Sequence, residues 1–117
     1  MFVVIVGLSA VLAMALAGSG GAKVADAPLM VANAEHLGYS RRAFRIIGSL
    51  ELAAVAGLVT GVVWLPLRIL TASGVAALLV AGAVSHARAG DDAAAVAPAA
   101  VLALAAAAVV ALSIVQG

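Results

Sequence analysis

Three stretches of this 117-residue chain contain no Asp, Glu, Lys or Arg: residues 1–22, 69–87 and 93–117. A helix that crosses a bilayer needs about 20 mainly apolar residues, because the hydrocarbon core is about 30 Å thick and an α-helix rises 1.5 Å per residue. Each window meets or nearly meets that length. A fourth, residues 46–67, qualifies once a single acid, Glu51, is tolerated inside it. Hydrophobic residues make up 67% of the chain and charged residues 9%, where soluble domains run near 45–50% and 25%. Expected spans at about 2–22, 43–65, 67–87 and 93–115 leave no room for a soluble domain, so residues 1–117 read as one transmembrane unit.

Composition also narrows the chemistry. A net charge of +1 gives no reason to expect nucleic acid as a partner. The chain has no cysteine, which removes disulfides, CxxC thiol chemistry and thiolate-held metals. No zinc motif, nucleotide loop or nucleophile triad is present, and a metal site is not expected. The two histidines, His36 and His86, do not read as a haem pair, because His36 falls in an expected loop. Asp91-Asp92 reads as a solvated turn. The Gly18-x-Gly-Gly string lies inside a span and reads as a packing feature rather than a phosphate loop. The N-terminal apolar run has no Lys or Arg before it and Lys23 just after it, so it reads as a span and not as a cleaved leader.

The expected architecture is all-α: a four-helix up-down bundle in the membrane, with an interfacial or re-entrant segment between the first two spans. That segment, KVADAPLMVANAEHLGYSRRAFR, mixes charges with Leu29, Met30, Val31 and Leu37. Pro28 suits the first turn of a helix there, Gly38 its end, and Ser40 the cap of the second span. Small residues at helical spacing mark candidate packing faces. These faces run through Gly7, Ala10, Gly18 and Gly21, with Met14 among them, in the first span, Ala53, Gly57 and Gly61 in the second, and Ser73, Ala77, Ala81 and Ser85 in the third. Trp64 suits a membrane–water interface. Lys23, Arg41, Arg42, Arg45 and Arg88 fall on one side of the membrane and Arg68 alone on the other. The positive-inside rule then puts the first and third loops in the cytoplasm and both termini outside. The Arg41, Arg42 and Arg45 cluster also suits contact with anionic lipid.

The string GGAKVADAPLMVANAEHLGYSRRAFRIIGSLELAAVAGLVTG resembles the DoxX-like family of small bacterial four-helix membrane proteins. The resemblance rests on the turn ending in Lys23, on Leu37-Gly38, on Gly48-x-x-Glu51-Leu52 with Gly57-Leu58, and on GAVSHARAGDD with His86, Arg88, Gly90 and Asp91. It covers nearly the whole chain, the last span by composition alone. It implies a multi-pass protein of the bacterial inner (plasma) membrane. It also implies a link to quinones or to membrane redox complexes as an accessory subunit; the partners expected are membrane lipids and other membrane subunits or a second copy of the chain in a homo-oligomer, and no cofactor is evident from the residues themselves.

Glu51 is the residue that most invites chemistry. It lies six residues past Arg45, about 9 Å into its span. A charged side chain facing lipid at the helix centre costs about 2.5–3.5 kcal/mol on insertion scales. It is therefore expected to face the bundle interior and meet a partner. Lys23, at the end of the first span, and His86 and Arg88, at the end of the third, reach the same side of the membrane. The expected site is a polar pocket of Glu51, His86 and Lys23, with Arg88 beside it, roofed by residues 26–39 over an apolar floor. Three roles stay open at this point: a structural bridge between helices, a ligand site, or proton transfer. The function expected is the binding of a lipid-soluble molecule, a quinone or isoprenoid lipid, or service as an accessory subunit. The rival readings are a lipid-active enzyme with Glu51 and His86 as acid and base, and an assembly factor without ligand.

Overall fold

The computed structural model describes residues 1–116 and consists, over those residues, of five helices and short turns: α1 (Phe2–Val24), α2 (Pro28–Leu37), α3 (Arg41–Gly61), α4 (Leu65–Arg88) and α5 (Ala93–Gln116). Four of them, α1, α3, α4 and α5, are long and apolar enough to cross a membrane. They form a ring in which α1 packs on α3, α3 on α4, α4 on α5, and α5 back on α1. The ten-residue α2 is the interfacial segment, and it lies against α1 and α3 at one end of the ring. His36, expected in a loop, is in the last turn of this helix instead.

Local chemistry accounts for the helix ends near that site. Pro28 opens α2, where its missing N–H removes nothing a first turn would use. Gly38 ends it at φ 82°, a left-handed conformation that glycine adopts without a Cβ clash. The Ser40 side chain accepts the Ala43 N–H at 3.0 Å and so starts α3. Asp92 does the same for Ala95 at 3.1 Å at the head of α5. The turn before α2 passes through Asp26 at φ 53°. Thus α2 is bounded on both sides by left-handed residues that fold it back across the bundle end.

The core is a cluster of Ile5, Leu12, Leu16, Leu58, Ala72, Val75, Ala106 and Val109. Two of the expected small-residue faces do not point into it. In α1, Gly7, Gly18 and Gly21 would have open space around an added Cβ, and Ala10 and Met14 are exposed. The buried face is Ile5, Ser9, Leu12, Leu16 and Gly20. In α4, Ser73, Ala77 and Ala81 are exposed, and Arg68, Ala72 and Val75 are buried. The physical reason is common to both. A membrane helix is apolar all round, so spacing marks a smooth face without saying whether protein or lipid covers it. The α3 face packs at its two glycines, a Cβ on Gly57 striking the Thr71 side chain and one on Gly61 lying 2.7 Å from the Arg68 Cα, whereas Ala53 is exposed.

Candidate functional site

The site begins with two glycines. Where α1 crosses α3, a Cβ on Gly20 would lie 2.8 Å from the Gly48 carbonyl oxygen, and one on Gly48 would lie 2.8 Å from that of Gly20. Without side chains at both positions the two backbones approach closely. One turn further on, this contact sets Lys23 of α1 beside Glu51 of α3. Glu51 is 4% exposed, and its Oε1 accepts a hydrogen bond from the Lys23 ammonium. The same ammonium donates to Ser19 Oγ at 2.7 Å and stands 5.3 Å from the centre of the Phe44 ring. Two hydrogen bonds and a cation–π contact thus compensate a charge pair drawn away from water.

Above the pair a cavity of about 300 Å³ occupies the end of the bundle, at the lower limit of ordinary small-molecule sites. Glu51, Lys23 and Ser19 form one wall, and His86 and Ser85 of α4 another. Leu16, Leu78, Leu79, Ala99 and Leu102 make the apolar floor, and Met30, Asn33 and Leu37 of α2 the roof. Gly82, one turn before His86, also lines the space. Of the four residues expected at the site, the structure brings Glu51, Lys23 and His86 to one cavity. Arg88 is exposed and is not part of the lining. His86 is not a partner of Glu51 within hydrogen-bond distance; that place belongs to Lys23.

The roof is tied across the cavity by side chains. Asp91, in the turn between α4 and α5, takes His36 Nε2 of α2 on Oδ1 and His86 Nδ1 of α4 on Oδ2, both at 2.6 Å. A carboxylate can only accept here, so both ring nitrogens carry hydrogen. The hydrogen bonds from His86 and His36 lower the Asp91 pKa below 3.8, since they favour the charged form. Beside this bridge, Tyr39 O–H and Ser85 Oγ lie 2.7 Å apart. The Ser85 hydroxyl gives its own hydrogen to the Ala81 carbonyl at 2.8 Å, so Tyr39 is the donor. Arg45, at 3.6 Å, pairs with Asp26 at the start of the roof. Asp91 is therefore the hub of a latch rather than a solvated turn residue. Sequence spacing carries no signal for it, because His36 is 55 positions away.

The sequence profile of the DoxX-like family matches residues 7–108. The chain belongs to the DoxX-like family. With its four long apolar helices, this DoxX-like chain is a small, multi-pass integral membrane protein. No curated protein and no solved structure matches it. The matched range of the DoxX-like profile contains every residue of the cavity and its latch. Among the described residues of the DoxX-like protein, no group of three or more His, Cys, Asp or Glu is arranged to hold a metal ion.

A second buried charge in the DoxX-like chain escaped the sequence reading. Arg68, in the first turn of α4, is 6% exposed. Its Nε donates to Ser113 Oγ of α5 at 2.9 Å, and its Nη1 to the carbonyls of Gly61 and Val62 at 3.4 and 3.3 Å. Those carbonyls end α3 and have no helical partner of their own. Arg68 therefore joins α3, α4 and α5 at the bundle end opposite the cavity. Its charge within a span was the available signal; counting it only toward topology hid its packing.

Proposed function

We propose that this DoxX-like protein binds the polar head of a lipid-soluble molecule in the cavity beneath α2. The observation that carries the reading is the cavity itself: about 300 Å³, apolar below, with the buried Lys23–Glu51 pair in its wall. A purely structural ion pair needs no space beside it, since close packing strengthens it. The volume suits a head group better than a whole lipid, so the tail continues between helices into the bilayer. Family resemblance supports a quinone or an isoprenoid lipid as the ligand class. The cavity volume is of the order of a quinone ring, and Ser19 and Lys23 put hydrogen-bond donors in its wall.

Acid–base catalysis by Glu51 and His86 is the second reading. It is favoured by one observation: the Asp91 contact orients the His86 ring at the cavity edge. The membrane lipids are the immediate surroundings of α1, α3, α4 and α5, whose exposed faces are apolar. We place the protein in the plasma membrane, with both termini outside and the α1–α3 and α4–α5 connections in the cytoplasm. The five-to-one distribution of basic residues supports this orientation. A C-terminal reporter that is active only in the cytoplasm should be silent; an active fusion reverses the topology.

The cavity is tested by filling it. Ala99→Phe puts a ring into the floor without touching the ion pair. Native mass spectrometry of the gently solubilised wild type should detect a co-purified lipid that the variant lacks. Equal lipid content in the two proteins would remove the reading.

A further inference from the structure

We infer that the polar end of the cavity takes a lipid whose head carries a hydroxyl group, held between Glu51 and Ser19. The inference rests on the lipid-binding reading above and narrows its ligand. Lys23 occupies Oε1 of Glu51, while Oε2 has no hydrogen-bond partner among the described residues. Nor is Oε2 sealed off by protein. Among the described residues, the only fully enclosed side-chain polar atom without a partner is Ser9 Oγ. Oε2 of this buried carboxylate thus keeps some accessible surface without a donor, and Glu51 lines the cavity. Its missing donor comes from whatever fills that space.

Ser19 supplies the complementary group. Its oxygen accepts from the Lys23 ammonium at 2.7 Å, and its own O–H donates to no partner among the described residues. Ser19 Oγ and Glu51 Oε1 touch the same ammonium, so the Ser19 O–H and the unpartnered Oε2 belong to neighbouring side chains that both line the cavity. A hydroxyl answers both: its O–H donates to Glu51 Oε2, and its oxygen accepts from Ser19. A ketone or ether head accepts from Ser19 but leaves Oε2 bare. A cationic head donates to Oε2 but faces the like charge of Lys23. Across the cavity, His86 uses Nδ1 on Asp91, and its Nε2 has no hydrogen-bond partner among the described residues. The lining therefore suits an isoprenoid alcohol, or the dihydroxy form of a quinone, better than a fully oxidised quinone.

Two probes with the same tail isolate the head: farnesol and farnesyl methyl ether. Their dissociation constants would be measured on the full chain in lipid nanodiscs. Farnesol should bind about ten- to a hundredfold more tightly, the worth of a hydrogen bond to a charged acceptor. In Glu51→Gln the amide oxygen stays on Lys23 and the NH₂ turns to the cavity, so the preference should vanish or reverse. The comparison on wild-type protein stands even if that variant folds poorly. Binding of both probes within about threefold of each other, abolished by Ala99→Phe, would overturn the inference and keep the lipid-binding reading. Binding of neither, or binding that Ala99→Phe leaves unchanged, would overturn both.

Discussion

The crossing of α1 and α3 gives the sharpest energetic expectation. Gly48→Ala would put a Cβ 2.7 Å from the Lys23 Cβ and 2.8 Å from the Gly20 carbonyl oxygen, where ordinary contact begins at 3.4 Å. The shortfall is about 0.6–0.7 Å, and neither neighbour is the end of a flexible chain. The two helices must move apart, and overpacking of this kind costs about 1–3 kcal/mol. Against that, alanine gains about 1 kcal/mol over glycine in a helix interior. Gly18→Ala is the control, because its Cβ meets nothing within 4 Å. The helix term is common to both variants, so the clash is read as their difference. In reversible denaturation in mixed micelles, Gly48→Ala should be less stable than Gly18→Ala by about 1–3 kcal/mol. The separation would also draw Lys23 from Glu51 and loosen the cavity wall. Equal stability of the two variants would refute the close crossing, and with it the account of how the pair is positioned.

Three further outcomes follow from the charged groups. Glu51→Leu strands the Lys23 ammonium and should cost about 3–5 kcal/mol, less whatever the 14% exposure of that side chain restores. Glu51→Gln should cost less, and the Lys23→Met/Glu51→Leu double variant should be more stable than Glu51→Leu alone; strictly additive losses in the same denaturation assay would show that the pair is not coupled. Arg68→Leu leaves Ser113 and the Gly61 and Val62 carbonyls without their donor, and should cost about 1–3 kcal/mol. No loss there would mean that the guanidinium contributes nothing net to the opposite bundle end. The Asp91 latch should depend on pH in a defined direction: the folded-state pKa is lowered, so its contribution is complete above the ordinary value of 3.8 and fades as pH falls through the lower folded value. Hydrogen exchange of the α2 amides should be slowed in wild type relative to Asp91→Asn at neutral pH, with the difference disappearing at strongly acid pH; identical exchange at neutral pH would exclude the latch.

The sequence alone determined the membrane class, the four spans, the interfacial helix and the family. The class, spans and short helix follow from apolar windows of bilayer length and from local cap chemistry, both of which act over a few turns, whereas the family follows from the resemblance of the quoted motifs. It also singled out Glu51, because a carboxylate inside a span has to be compensated somewhere. What it could not decide was which partner does so. Lys23 and His86 were equivalent by depth, and only the Gly20–Gly48 crossing favours Lys23. Nor could helical spacing tell the packed face of α1 from its exposed one, because bilayer and protein core are equally apolar and hydropathy has no contrast between them. The Asp91 latch and the Arg68–Ser113 contact, joining residues 55 and 45 positions apart, exist only once the ring of helices closes. Tertiary structure decided them because a hydrogen bond needs its two atoms within about 3 Å, a condition that no periodicity along the chain encodes.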